Sequence, residues 1–234
     1  MIVRKTPPKK SRTKTPPRDG HRVHSNRESP KLSGTRPAKP PVRDDAMVKQ
    51  KSPLTVLTIG HSTRPIGEFI TLLLAHDVTR VVDVRTVPRS RHNPQFNRNV
   101  LPASLKSAGI GYVHAPALGG LRRTTKESIN TGWRNASFRG YADYMQTPEF
   151  ADAVETLIQW AKKDRLALMC AEAVPWRCHR SLIEDALLVR NVRGEDIMSA
   201  TRRQQHELTD FAKVRGTQIT YPALKPRAAT RKKK

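Results

Sequence analysis

Residues 165–190 read RLALMCAEAVPWRCHRSLIEDALLVR. The first eight residues form an apolar run of strand length, and CHRSLIEDALLVR (178–190) carries Leu182, Ile183, Ala186 and Leu187 at helical spacing. Strand, tight loop and helix start thus follow one another within this stretch. The same alternation recurs on both sides of it. Upstream, LTVLTIG (54–60) and RVVDVR (80–85) read as buried strands, and IGYVHAP (110–116) as a third. Between them, RPIGEFITLLLAH sets Ile66, Phe69, Ile70 and Leu73 on one helical face, with Ser62 or Thr63 as N-cap, and VLPASLKSAGI predicts a short helix ending at Gly109. Residues 117–147, rich in Gly, Arg, Asn, Ser and Thr, read as a long loop with one short helix near Tyr141. PEFADAVETLIQWAKKD (148–164) is the clearest helix: Thr147 is its N-cap, Pro148 its first residue, and Phe150, Val154, Leu157, Ile158 and Ala161 its apolar stripe. Downstream, DIMSA (196–200) predicts a fifth strand, followed by a short helix near 207–214 and a short extended ITYP. Strands alternating with helices predict a Rossmann-like α/β three-layer sandwich with a mostly parallel sheet of about five strands. No GxGxxG follows the first strand and no GxxxxGK[ST] occurs, which argues against a dinucleotide or P-loop site.

Composition places this domain inside a longer polar chain. The 234 residues carry 44 Lys+Arg against 20 Asp+Glu, a formal net charge of +24. Residues 1–52 hold 15 basic and four acidic side chains (+11), and the last ten residues hold six basic and none acidic, which leaves +7 for residues 54–224. Residues 1–53, with nine of the 18 prolines, and 225–234 are therefore expected to be disordered basic tails around a single α/β domain at 54–224. Such tails attract nucleic acid through salt-dependent phosphate contacts, whether or not they have a fixed partner. Met47 stands seven residues before Leu54 and offers an alternative start of translation. No apolar run approaches the ~20 residues of a membrane span, the N-terminus lacks the apolar stretch of a secretory signal, and two cysteines make no disulfide framework. These features favour an intracellular protein with no membrane partner.

In an open parallel sheet, ligands bind beyond the carboxyl ends of the strands. Here those ends carry His61 and Ser62, then Asp83 and Arg85, then His114, then Cys170 and Glu172. Loops are polar in any protein, but these side chains are chemically capable ones. Cys178, His179 and Arg180 fall at a helix start, where backbone N–H groups and the helix dipole favour anions and lower a thiol pKa. The arrangement is similar to the Cys–loop–Arg of rhodaneses and Cys-dependent phosphatases. However, six residues separate Cys170 from Arg177, one more than in that pattern, no glycine lies between them, and Glu172 would repel a phosphate. Cys170, Cys178 and one of His179, His61 or His114 could instead form a three-ligand metal site with an open position. No cofactor is identified. The Pro-broken stretch TVPRSRHNPQFNR (86–98) offers Arg89, Arg91 and Arg98 for anion binding, with Ser90 in the pocket wall. With Arg122, Arg123, Arg134 and Arg139 they could build a cationic rim, and Phe96, Trp133, Phe138 and Tyr141 could stack bases within it.

TIGHSTR (58–64), DVRTVPRSRHNPQF (83–96), YVHAPALGG (112–120), FRGYADYM (138–145) and MCAEAVPWRCHRSLIEDAL (169–187) together resemble the domain-of-unknown-function 488 family over about residues 54–222. The family usually carries Tyr before the proline where this chain has Val87. The resemblance implies a Rossmann-like α/β fold, a bacterial cytoplasmic setting and no established activity. Its motif residues fall on His61, Ser62, Arg64, Asp83, Arg85, Ser90, Gly119, Gly120, Cys170, Glu172, Cys178, His179 and Arg180.

The leading expectation is an enzyme acting on a phosphorylated, nucleotide-like or nucleic-acid substrate at this edge. Arg85, Arg89, Arg91 and Arg180 would hold the anion, Glu172 or His61 would do acid–base work, Asp83 would orient Arg85 or His61, and Cys178 would be nucleophile or metal ligand. The alternatives are a non-catalytic nucleic-acid-binding or ligand-sensing module, and a thiol-redox sensor built on Cys170 and Cys178.

Overall fold

The structure, a computed structural model, describes residues 53–223. The expected basic tails, Pro53 apart, and Met47 lie outside the described residues. Strands β1 (Thr55–Gly60), β2 (Arg80–Asp83), β3 (Gly111–His114), β4 (Leu166–Cys170) and β5 (Arg193–Ile197) run parallel in the order β3-β2-β4-β1-β5. An antiparallel strand, β6 (Arg203–Gln205), closes one edge. Five helices pack on the sheet: α1 (Ile66–Leu74), α2 (Leu101–Ser107), α3 (Ala136–Tyr144), α4 (Pro148–Ala161) and α5 (Arg180–Leu188).

The two-residue period of the strands divides their side chains between two cores. Leu57, Ile59, Val81, Ala167 and Met169 join Phe69 and Leu73 of α1 and Leu101 and Leu105 of α2. Val56, Val82, Leu166, Leu168 and Cys170 join the inward faces of α3, α4 and α5. The fold is thus the expected α/β sandwich. Its strand order has a direct consequence for function. β1 and β2 lead into helices on one face, β3 and β4 lead into helices on the other, and β4 lies between β1 and β2. Neighbouring chain ends therefore turn away from one another at the carboxyl edge and leave a crevice there.

Local sequence signals account for most elements. The Thr147 hydroxyl accepts the Phe150 amide at 3.3 Å, Pro148 opens α4, and the whole predicted stripe is buried. Asn135 caps α3 by accepting the Ser137 and Phe138 amides. Gly109, at φ +74°, supplies the left-handed residue that ends α2.

Three local expectations are corrected, and one strand, β6, was not expected. α1 starts after Pro65 without a side-chain cap, because Ser62 and Thr63 belong to a turn whose Ser62 amide donates to the Ala171 carbonyl. The fifth strand is Arg193–Ile197 rather than 196–200; its sequence RGEDI is charged, and its register against β1 was hidden from a search for apolar runs. β6, with sequence RQQ, is wholly exposed and has no hydrophobic signature. No helix forms near 207–214. There His206 and Thr209 bond to Asp185, and a hairpin follows, made of β7 (Lys213–Arg215) and β8 (Gln218–Thr220), which takes in Ile219 and Thr220 of the expected ITYP segment.

Beneath α5 lies a buried acidic group with no hydrogen-bond partner. Glu184 is fully buried, and neither carboxylate oxygen is hydrogen-bonded. Burial, followed by the nearby Asp196, raises its pKa well above the ordinary 4.5, so the folded chain keeps a proton that the unfolded chain has lost. Stability should therefore fall as pH rises above about 4.5, the unfolded value, by up to about 1.4 kcal/mol per pH unit until the folded value is reached. Glu184→Gln removes that dependence. The variant should match the wild type near pH 4 and be the more stable protein at pH 7 in urea unfolding; a wild type as stable at pH 7 as the variant would refute the assignment.

Candidate functional site

The crevice holds a cavity of about 700 Å³ lined by the ends of β1 and β4, the segment after β2, and the loop leading into α5. The ladder between β1 and β4 continues past the strands: His61 N–H donates to the Cys170 carbonyl at 2.9 Å and Ser62 N–H to that of Ala171 at 3.0 Å. Gly60 is required for this closeness, because a Cβ there would run into the Glu172 carbonyl. Ser62 takes a left-handed φ of +49°, uncommon for a non-glycine residue and concentrated at functional sites.

Cys178 is the best-placed nucleophile. Its Sγ lies 3.7 Å from His179 Nδ1 and receives Arg180 Nε–H at 3.4 Å. The other ring nitrogen of His179 faces the Val84 carbonyl at 3.1 Å. A carbonyl only accepts, so Nε2 carries the proton and Nδ1 presents a lone pair to the thiol. The ring is gripped on two sides: Tyr141 packs at 5.1 Å between centroids, and a Cβ on Gly120 would come within 2.5 Å of Nδ1. Arg180 is fully buried, and its hydrogen bonds run to Cys178 Sγ, the Thr58 hydroxyl and the Glu172 carbonyl, none of them a carboxylate. A buried guanidinium without a directly bonded counter-charge is costly, and a thiolate on Cys178 supplies that charge. The neighbouring Cys170 thiol, ahead of His179 and Arg180, holds the Cys178 pKa far below the usual thiol value against the opposing effect of burial. Cys170 itself is pushed the other way, first by its bond to Cys178 and then by burial, and stays a thiol.

Cys170, Cys178 and His179 place their ligand atoms within 4.8 Å of one another. These are metal-binding residue types, but the Arg180 guanidinium in contact with Cys178 puts a fixed positive charge beside the position a cation would take. The arrangement suits a thiolate better. His114 is turned away, with Nε2 on the Arg85 carbonyl at 2.9 Å, and the ring nitrogens of His61 face the Ser62 carbonyl at 2.8 Å and Arg85 at 3.2 Å.

Of the other predicted residues, Ser62, Arg85, Arg89, Ser90, Gly120 and Glu172 line the cavity, whereas Asp83, Arg91, Gly119 and Arg180 do not. Asp83 lies behind Arg85 and accepts its Nε–H at 2.8 Å and its NH2 at 2.6 Å, so it is a positioning group with no access to a ligand. Arg85 spends its donors on Asp83, His61 and the Phe96 carbonyl, which leaves little for an anion. His61 stacks on Phe96 at 4.1 Å, and burial lowers its pKa to about 4, so it is neutral near pH 7. Gly119 packs against Thr86, and Glu172 Oε1 accepts the Val174 amide at 3.0 Å.

The expected arginine rim is corrected. Arg122 lies 3.5 Å over the Tyr144 ring and bonds to three loop carbonyls, and Arg139 is bound to the Trp133 carbonyl. Arg98, Arg123 and Arg134 are exposed outside the cavity wall. Phe96 and Tyr141 are fully buried, and of the proposed stacking aromatics only Phe138 reaches the cavity. Arg177, Thr86 and Leu121 are wall residues not assigned from sequence. Arg177 could have been found as the neighbour of Cys178. Leu121 and Phe138 arrive only through the folding of the long segment 117–147.

The family model described as domain of unknown function DUF488 matches residues 65–187, more than half of the chain. The chain belongs to the DUF488 family. No curated protein matches this DUF488 chain, and no solved structure does. Among its described residues no helix is long and apolar enough to cross a membrane.

Proposed function

We propose that this DUF488 protein is a cysteine-dependent enzyme in which the Cys178 thiolate attacks an electrophilic atom of a small anionic substrate held in the strand-end cavity. The observation that carries the reading is the setting of Cys178 Sγ, 3.7 Å from an oriented imidazole nitrogen and 3.4 Å from a buried guanidinium. Such a site generates a nucleophile at neutral pH without a separate deprotonation step. Arg89 and Arg177 give the wall its exposed positive charge, and Val87, Leu121 and Phe138 give it an apolar side, which together fit an anion on an organic body. A singly charged carboxylate is favoured over a doubly charged phosphate ester, because Glu172 in the same wall opposes the dianion more strongly and Arg85 is already neutralised by Asp83.

The test is alkylation of the full-length protein by iodoacetamide across a pH series, read by peptide mass spectrometry. Cys178 should be modified well below the ordinary thiol range near 8.5, Cys178→Ser should abolish this acid-side reaction, and Cys170→Ser should retain it. Modification that begins only in the ordinary thiol range, or that falls first on Cys170, would sink the proposal.

A further inference from the structure

Cys170 and Cys178 are free thiols whose sulfurs lie within 4.8 Å of each other, and both line the same cavity. They flank the segment 171–177, in which Ala171, Ala173, Trp176 and Arg177 are exposed. Cys170 both helps Cys178 to ionise and lies close enough to attack a sulfur bonded there. A thiol packed only as a small apolar group would not need to face the activated one across a cavity wall.

We propose that Cys170 and Cys178 form a dithiol site that reduces a low-molecular-weight disulfide bearing carboxylates. This rests on the nucleophilic reading of Cys178 above and names its substrate class. Cys178 S⁻ attacks one sulfur of R–S–S–R, the substrate S–S bond breaks, and RS⁻ leaves, which gives a Cys178–S–S–R mixed disulfide. The departing RS⁻ takes from His179 the proton that Cys178 had given it, Cys170 S–H then passes its own proton to the freed His179 nitrogen, and the Cys170 thiolate attacks Cys178 Sγ. The mixed bond breaks, a second RS⁻ departs, and the two leaving groups take up two protons. In sum, one disulfide is reduced to two thiols while the protein dithiol is oxidised to a Cys170–Cys178 disulfide. The division of labour follows from the geometry: Cys178 holds the contacts that stabilise a thiolate, and Cys170 lies within reach of both the sulfur it must attack and the base that deprotonates it. Arg89 and Arg177 in the wall match the carboxylates.

The experiment uses the reduced full-length chain and oxidised glutathione as the probe, with released thiol and intact mass followed together. The wild type should release two glutathione thiols per chain and end lighter by two hydrogens. Cys170→Ser should release one and retain a glutathione adduct on Cys178, and Cys178→Ser should not react. A wild type that halts at the one-adduct stage would overturn the proposal. So would a wild type inert to the probe whose Cys178 is nonetheless alkylated at low pH, an outcome that leaves the nucleophile reading intact. Because the wild-type stoichiometry decides alone, a poorly folding variant does not blur the result.

Discussion

Asp83→Ala should destabilise the protein by about 3–5 kcal/mol, the cost of leaving one partner of a buried ion pair behind. Asp83 is fully buried and Arg85 is 7% exposed, and the carboxylate accepts Arg85 Nε, Arg85 NH2, the Arg85 amide and the Tyr112 hydroxyl at 2.6–3.1 Å. Removal of the carboxylate strands the guanidinium between His61 and the Phe96 carbonyl. For a domain of this size the melting temperature should drop by on the order of 10 °C. The double variant Asp83→Ala/Arg85→Met removes both charges and should be more stable than Asp83→Ala alone. Denaturant unfolding of the single and double variants checks this; a double variant no more stable than Asp83→Ala would show that the pair is not what anchors the end of β2.

Arg180→Met should raise the ionisation midpoint of Cys178 by about one to two pH units, since a hydrogen bond to a charged group contributes roughly 1.5–3 kcal/mol and 1.36 kcal/mol corresponds to one unit. The sign follows from charge. The guanidinium favours the thiolate, so its loss leaves the thiol protonated to higher pH. Methionine approximates the length and apolar stem of arginine, so the packing around α5 is largely kept. Arg180→Lys keeps the charge but loses the fork that reaches Sγ, the Thr58 hydroxyl and the Glu172 carbonyl at once, and should fall between wild type and Arg180→Met. Thiolate absorbance followed through an acid titration measures the midpoint. An unmoved midpoint in Arg180→Met would remove Arg180 from the account of Cys178 activation.

The strand–helix alternation, the apolar stripe of α4, the Thr147 cap and the gathering of ionisable residues at strand ends were all readable along the chain. Each depends on neighbours in sequence: side-chain periodicity for strands and helices, and a hydroxyl three residues from the amide it caps. β5 and β6 were misplaced or missed because RGEDI and RQQ owe their place to register against β1 and to a free sheet edge, which no apolar pattern records. The arginines were misjudged for a related reason. A guanidinium in a loop reads the same whether it faces a ligand or, like Arg122 and Arg139, satisfies the loop's own carbonyls.

By itself the sequence determined the kind of fold and the edge at which the chemistry lies, because parallel strands must send their polar termini to one end of the sheet. Which groups act together was decided only by tertiary structure. The order β3-β2-β4-β1-β5 sets β4 between β1 and β2, brings Gly60 beside Cys170, and sets Val84 against the His179 ring from 95 residues away in the chain. That last contact fixes the tautomer that turns Nδ1 toward Cys178. A hydrogen bond between residues with no sequence relation thus sets which ring nitrogen faces the Cys178 thiol.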